Sequence, residues 1–266
     1  MKPTEKKHKV GCALCGGGSK GFAHLGAFQA FRELGIKPEI IAGTSAGALA
    51  GVFYADGFEP EEIAELFRGH KLTDFASLSL FSGGLLKPKG VADLLRKNLR
   101  SKTFEELQVP FVAVATDWEQ ACIRSFREGD LLVDAVVASC AVPLVFQPIK
   151  IEDKQYVDGG VLKNFPVSVI REEVECIIGV NLFKILPYQP TTSIKQSAER
   201  YFDIISKQNI AEDVAITDIL IDMDGLQDFS LFDLKSIDTI MQLGYGRAKE
   251  TLDTTHNKEI IQKVMM

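Results

Sequence analysis

The sequence predicts an α/β fold with a mainly parallel central sheet covered by helices on both faces. Short apolar runs alternate along the chain with longer segments whose apolar residues recur at helical spacing. Strands that alternate with helices form parallel sheets, because each crossover helix returns the chain to the same end of the sheet. The chain has 266 residues, of which 46% are hydrophobic and 25% charged, so it can bury a substantial core.

The elements of the first half follow from apolar runs and from helix-ending residues. Val10–Cys15 is predicted to be a buried strand, and Phe22–Leu34 a helix that ends at Gly35. The segment after that glycine is the second predicted strand. The remaining predictions, in order, are strand Ile36–Gly43, helices Ala46–Tyr54, Glu61–Arg68 (after Pro60) and Val91–Leu99, and strand Val109–Thr116.

The second half continues the alternation and adds a hairpin. Two short β-rich runs flank Glu152-Asp153-Lys154, which is typical of a hairpin turn. Since no repeat and no low-complexity linker divides the chain, we expect one domain over residues 1–266. The predicted elements are helix Leu131–Cys140, hairpin Ile149–Ile151 and Gln155–Val157, strand Cys176–Phe183, helix Ile194–Gln208, strand Ala215–Ile221 and helix Lys235–Leu252.

Charge, cysteines and hydropathy restrict the class of protein. The net charge of -6 argues against nucleic-acid binding, which requires a basic surface. The five cysteines are an odd number without framework spacing, which favours a reducing compartment. Cys12 and Cys15 form a Cys-x-x-Cys, but they lie in an apolar run and are better explained as buried residues than as a metal or redox site. No apolar segment reaches the ~20 residues of a membrane span, so we expect a soluble, cytoplasmic protein.

The glycine run after the first strand has two interpretations. Gly16, Gly18 and Gly21 fit the dinucleotide-binding pattern Gly-x-Gly-x-x-Gly. That site also needs an acidic residue at the end of the second strand, whereas Glu39 lies near the start of that strand. The other interpretation is an anion site, because backbone N–H groups at a helix N-terminus attract negative charge, including a reaction oxyanion. Gly17 is a preferred donor together with Gly18, because neither has a side chain to block a carbonyl.

Residues 43–47, Gly-Thr-Ser-Ala-Gly, fit the Gly-x-Ser-x-Gly pattern that places a nucleophilic serine between a strand and a helix. Ser45 would then need a base. None of the four histidines is a good candidate for this base. In chain order, the first is in the charged N-terminal tail, the second is better explained as support for the glycine loop, the third ends a helix, and the fourth lies in a polar stretch that resembles a solvated terminus. They are His8, His24, His70 and His256.

A carboxylate is the alternative base for Ser45, and the sequence offers two candidates for it. Asp158 follows the run Gln155–Val157 and precedes two glycines, which places it in a tight turn. An Asp-Gly turn without catalytic role is the competing explanation. Asp117 is the second candidate for the base, because it also follows a predicted strand, Val109–Thr116.

Three motifs in order give the sequence a resemblance to a known family. Gly16–Gly21, the serine motif at 43–47 and Asp158-Gly159-Gly160 together resemble the patatin-like phospholipases over about residues 9–185, with 190–266 completing the domain. The resemblance implies a three-layer α/β/α fold without metal or cofactor. It also implies that Ser45 is the nucleophile and Asp158 its base, and that the N–H groups of Gly17 and Gly18, with help from Gly16, hold the oxyanion.

The resemblance implies a lipid ester hydrolase of the phospholipase A or lysophospholipase type. A non-catalytic lipid-binding or scaffold protein of the same fold is the alternative, and a Rossmann-type nucleotide enzyme is less favoured. Lys20 either faces solvent or contacts an anionic head group. Phe75–Leu86 is apolar and contains Gly83-Gly84, so it is either a core segment or a lid that touches a membrane surface, which would place the protein peripherally.

Overall fold

The computed structural model describes residues 7–70, 74, 77–78, 86–184, 190, 193–230 and 233–265. Ten strands are present in these ranges. They are β1 His8–Leu14, β2 Ile40–Thr44, β3 Ser77–Leu78, β4 Leu86–Lys87, β5 Phe111–Asp117, β6 Cys122–Phe126, β7 Ile149–Ile151, β8 Lys154–Asp158, β9 Val174–Asn181 and β10 Ile219–Asp222.

Eight of these strands form the central sheet, in the order β10-β9-β1-β2-β5-β8-β7, with β6 also paired to β5. The pairs from β10 to β5 are parallel, and β6, β7 and β8 form an antiparallel edge. Strand β5 is buried along its whole length, as expected for the centre of a sheet covered on both faces. Strands β3 and β4 make a separate two-stranded hairpin.

The helices cover the two faces of the sheet and give the predicted three-layer α/β/α architecture. The late helix Ile237–Leu252 packs against the first helix, Phe22–Glu33. Among the described residues, no helix is both long and apolar enough to cross a membrane. The helices are α1 Phe22–Glu33, α2 Ala46–Ala55, α3 Pro60–Glu65, α4 Lys89–Asn98, α5 Leu132–Ser139, α6 Ile194–Ala215, α7 Ile237–Leu252 and α8 Thr255–Met265.

The topology places the sequence motifs on the side of the sheet where the parallel strands end. The glycine run follows β1 and the serine motif follows β2, so both lie at the carboxyl ends of neighbouring parallel strands. Strand β8 runs in the opposite direction and pairs Asp158 with Ala115, near the carboxyl end of β5. In α/β sheets, ligands bind at the carboxyl ends of the parallel strands.

Three predicted boundaries differ from the structure by four residues or more. Strand β2 begins at Ile40 rather than Ile36, since Pro38 has no N–H to contribute to a parallel ladder. Helix α6 ends at Ala215 rather than Gln208, and the following strand begins only at Ile219. The sequence around Ala215 is a short apolar run, and periodicity alone does not distinguish a strand from a buried helix end in such a run.

Four of the elements were not predicted, namely the two strands of the short hairpin, β3 and β4, together with strand β6 and helix α8. Strand β6 leaves most of its side chains exposed, so it lacks a clear apolar run. Helix α8 begins in the stretch 254–258 that was interpreted as a solvated terminus, and it has no fully buried residue. The proposed lid Phe75–Leu86 lies outside the described residues, apart from Ser77–Leu78 and Leu86.

Candidate active site

Ser45 occupies a sharp turn between β2 and α2. Its backbone has φ 54° and ψ -120°, a conformation that L-residues rarely adopt and that costs about 1–3 kcal/mol. Such a turn lifts the serine hydroxyl clear of the sheet edge. The Ser45 N–H donates to Ser139 Oγ at 2.9 Å, and that hydroxyl donates to the Val114 carbonyl at 2.6 Å. These two hydrogen bonds therefore fix the serine turn to both helix α5 and strand β5.

The turn also depends on close approach between α2 and β1 at Gly47. A Cβ at this position would lie 2.3 Å from the Leu14 carbonyl oxygen and 2.7 Å from that of Cys15, both backbone atoms. We expect Gly47→Ala to lower the free energy of unfolding by at least about 2 kcal/mol, because backbone must move to admit the methyl group.

Gly246→Ala is the matched control for this prediction. Gly246 lies inside helix α7 and has open space where its Cβ would be. Alanine there should raise the free energy of unfolding by about 0.4–1 kcal/mol. Chemical denaturation of both variants measures the two effects, and equal stabilities would contradict the close approach at Gly47.

The glycine loop passes beside the serine. A Cβ on Gly16 would lie 3.1 Å from Ser45 Cβ, and Gly18–Gly21 form a short 3-10 helix that leads into α1. The Gly16 N–H donates to the Asn164 carbonyl at 3.1 Å. This bond occupies the Gly16 N–H, so Gly17 and Gly18 are the better-placed candidates to donate to an oxyanion, and the contribution of Gly16 stays a prediction. Among the described residues, no acceptor takes the N–H of Gly17 or Gly18.

His24 supports the glycine loop from inside the fold. Its side chain is fully buried, and Nε2 lies 2.8 Å from the carbonyl oxygen of Cys15, so Nε2–H is the donor. Burial lowers the pKa of His24 to about 4, which keeps the ring neutral near pH 7. These observations agree with the interpretation of His24 as a support of the loop.

Asp158 is brought together with Ser45. The carboxyl is buried, and Oδ1 accepts a hydrogen bond of 2.7 Å from the Gly160 N–H. Burial raises the pKa of Asp158 to about 7, against smaller lowering contributions from the Ser45 hydroxyl and the Gly160 N–H. Oδ2 is buried and has no hydrogen bond of regular geometry within the described part of the chain. The loop thus fixes one carboxylate oxygen, and the Ser45 hydroxyl interacts with the same carboxyl group.

The other candidate residues lie outside the Ser45–Asp158 pair. Asp117 Oδ1 accepts from the backbone N–H groups of Glu119 and Gln120, at 3.0 and 2.9 Å, so it stabilises the turn between β5 and β6. His256 is exposed on α8. Lys20 is half-buried in the 3-10 helix of the glycine loop. Cys12 and Cys15 are buried free thiols, and burial raises the pKa of both.

An apolar cavity of about 150 Å³ opens beside the serine. Ser45 and Gly18 form part of its wall, and the remainder is mainly aliphatic and aromatic. Its apolar lining includes Phe22, Leu25, Leu49, Ile63, Val91 and Phe146.

Sequence reasoning missed the residues that hold the site together. Ser139 and Asn164 lie within residues 9–185, the part of the chain that resembles the family, and that resemblance was the available signal for them. Asn209 on α6 donates to the Gly160 carbonyl at 2.9 Å, and no motif marked it. A polar residue in a helix gives no sequence sign of which distant backbone it will meet.

Comparison with known proteins identifies the family. The model of the patatin-like phospholipase family matches residues 12–170, more than half of the chain. The chain therefore belongs to the patatin-like phospholipase family.

Two relatives and one solved structure illustrate the similarity. An uncharacterized NTE family protein of Mycobacterium tuberculosis (strain H37Rv) is 33% identical over 165 residues, which are 61% of this chain and 45% of that relative. The uncharacterized protein YqhO of Bacillus subtilis is 31% identical over 234 residues, with 74% of this chain and 79% of the relative covered. The crystal structure of VipD from Legionella pneumophila shares the fold, with a TM-score of 0.59, 16% identity, and coverage of 93% of this chain and 67% of that one.

Proposed function

We propose that this chain hydrolyses lipid esters with Ser45 as nucleophile and Asp158 as its base. The observation that carries the proposal is the buried Asp158 carboxyl, with a pKa raised to about 7, beside a serine on a strained turn. Such a carboxylate is a stronger base than an exposed one, and its ionised form is still populated at neutral pH. Membership of the patatin-like phospholipase family supports the same reaction class.

The proposed reaction has two steps. Asp158 takes the proton from Ser45 Oγ as that oxygen attacks the ester carbonyl, and it returns the proton to the departing alcohol. Water then attacks the acyl-enzyme while Asp158 takes its proton, and the serine hydroxyl is regenerated. The oxyanion of each tetrahedral intermediate is held by the N–H groups of Gly17 and Gly18 at the start of the glycine-loop helix.

The cavity supports an acyl chain as the part of the substrate that the protein buries. Its wall is apolar and reaches Ser45, so a chain placed inside it brings its carbonyl to the nucleophile. Lys20 on the glycine loop supports an anionic group on the alcohol side of the ester. We therefore propose an ester that joins a fatty acyl chain to an anionic or polar head group.

The oxyanion proposal predicts a selective loss of turnover in Gly18→Ala. Gly18 has φ +59°, so alanine strains the loop and turns its N–H groups away from the developing charge. We expect kcat to fall by about 100- to 1,000-fold, with a smaller change in KM.

Gly35→Ala controls for strain alone. Gly35 has φ +70° with nothing near its Cβ position, and it lies at the far end of α1. This variant should lose stability but retain kcat. If both variants kept kcat, Gly18 would have no role in the oxyanion hole.

Hydrolysis of nitrophenyl esters with acyl chains of increasing length, and of phospholipid vesicles, tests the proposed function. We expect the wild-type protein to release nitrophenol from chains that enter the cavity, and Ser45→Ala to release none above background. Saturable binding of fatty acid without any ester turnover would instead support the non-catalytic lipid-binding alternative.

A further inference from the structure

The loop 159–164, which follows Asp158 and is called here the aspartate loop, connects all three motifs. The Gly160 N–H holds Asp158 Oδ1 at 2.7 Å. The Lys163 carbonyl accepts from Thr44 Oγ1 at 2.8 Å, directly before the serine. The Asn164 carbonyl accepts from the Gly16 N–H at 3.1 Å. A displacement of this loop would therefore change the nucleophile turn, the glycine loop and the carboxylate together.

Helix α6 holds the aspartate loop through the side chain of Asn209. Asn209 Nδ2 donates to the Gly160 carbonyl at 2.9 Å and to the Val161 carbonyl at 3.3 Å. Asn209 Oδ1 accepts from the Asn164 N–H at 2.9 Å. One amide thus satisfies three backbone groups at both ends of the loop. Since an unpaired buried backbone group is costly, the loop would relax without this amide.

A second contact lies one helical turn further along α6. Asp213 is fully buried; its Oδ2 pairs with Lys163 Nζ at 2.5 Å and its Oδ1 accepts from the Ser168 N–H at 2.6 Å. Asn209 and Asp213 are four residues apart, so both face the loop from the same side of the helix. The whole of α6 lies beyond residues 12–170, the part that the family model matches.

We infer that Asn209 is a positioning residue for Asp158, which holds the aspartate loop so that the carboxylate stays directed at Ser45. The inference rests on the proposed function, because it assigns Asn209 a purpose in the Ser45–Asp158 reaction. Asn209 does not contact the reacting atoms in this account. It acts through the Gly160 peptide, whose N–H binds the carboxylate and whose carbonyl binds the amide.

The test compares Asn209→Ala with Gln208→Ala, an exposed neighbour on the same helix. The first readout is the rate of labelling by a fluorophosphonate probe as a function of pH. We expect Asn209→Ala to label about 100-fold more slowly, as for a misplaced catalytic group. Its acid limb should also move to lower pH, because a loosened loop admits water to Asp158. The groups that face this carboxyl are the Ser45 hydroxyl, the Gly160 N–H and the Cys140 thiol, and both variants retain all three.

The second readout is amide hydrogen exchange in peptides that cover 158–164, which does not depend on catalysis. Exchange there should rise in Asn209→Ala and stay at the wild-type level in Gln208→Ala. If Asn209→Ala does not fold, Asn209→Ser, which keeps one hydroxyl donor, takes its place in the same comparison.

The outcomes separate this inference from the proposed function. Absence of labelling in the wild-type protein would count against the proposed function, and the exchange measurement would still report whether Asn209 holds the loop. A labelled wild type with an unchanged rate and acid limb in Asn209→Ala would overturn the inference. So would lowered thermal stability with unchanged exchange in the loop, since that result describes a residue that supports the fold alone.

Discussion

Replacing Ser45 with alanine is expected to reduce ester hydrolysis by at least about 10,000-fold while the chain remains folded. The cavity, the glycine loop and Asp158 all remain in this variant, but no hydroxyl is left to form the acyl-enzyme. Initial rates with a nitrophenyl ester, together with circular dichroism to confirm the fold, measure the effect. Residual activity within tenfold of the wild type would place the nucleophile elsewhere.

Ser45→Gly separates the hydroxyl from the backbone strain at the same position. Glycine also removes the nucleophile, but it adopts a φ of 54° without the strain that alanine or serine has there. Both variants should be equally inactive. The glycine variant should be more stable than the alanine variant by about 1 kcal/mol, the order of the strain relieved. Equal stabilities would mean that the turn stores no strain.

Replacing Asp158 with asparagine should remove activity and raise stability at the same time. Without a carboxylate no group takes the serine proton, so we expect a loss of at least about 1,000-fold. In the wild type, the rate should fall about tenfold for each pH unit below the Asp158 pKa of about 7, because only the ionised form acts as base. The asparagine variant should show no such acid limb.

The stability effect follows from the same raised pKa. The folded-state pKa of Asp158 is about 7 and its ordinary value is 3.8, so the native state binds the proton more tightly than the unfolded chain. Ionisation of Asp158 therefore destabilises the fold progressively from about pH 4 to pH 7, by about 4 kcal/mol at full effect. Asparagine avoids this cost and can still accept from the Gly160 N–H. Asp158→Asn should thus be more stable than the wild type at pH 8 and nearly equal to it at pH 4.

Urea denaturation of the two proteins at both pH values measures the difference. Comparison at each pH cancels the contribution of every other titrating group. A variant that is less stable than the wild type at pH 8 would show that the ionised carboxyl is well solvated or paired in the native state.

The sequence predicted the three-layer fold because its strands and helices have strong periodic patterns. Val109–Thr116 and Phe22–Leu34 are clear cases, and the structure places β5 and α1 there. Prediction failed where packing rather than pattern decides the structure. Helix α8 has no fully buried residue, and β6 is formed mainly by pairing with β5, so neither had a strong local signal.

The candidate site also had a part that the sequence predicted and a part that it did not. Its motifs were visible because a nucleophile turn and a glycine loop need particular residues at fixed spacing. Their supports were not visible, because Asn209 meets Gly160 across 49 positions of the sequence. The bond between the Gly16 N–H and the Asn164 carbonyl was also unpredictable, since the glycine run alone does not indicate which of its N–H groups the fold uses.

The most direct test of the central proposal is the intact mass of the protein after incubation with a fluorophosphonate probe. We expect a single covalent adduct on the wild type, none on Ser45→Ala, and slow labelling of Asp158→Asn near pH 8. Labelling in detergent micelles controls for a closed cavity. A folded wild-type protein that takes no label in either condition, or an adduct that persists in Ser45→Ala, would contradict an activated serine at position 45.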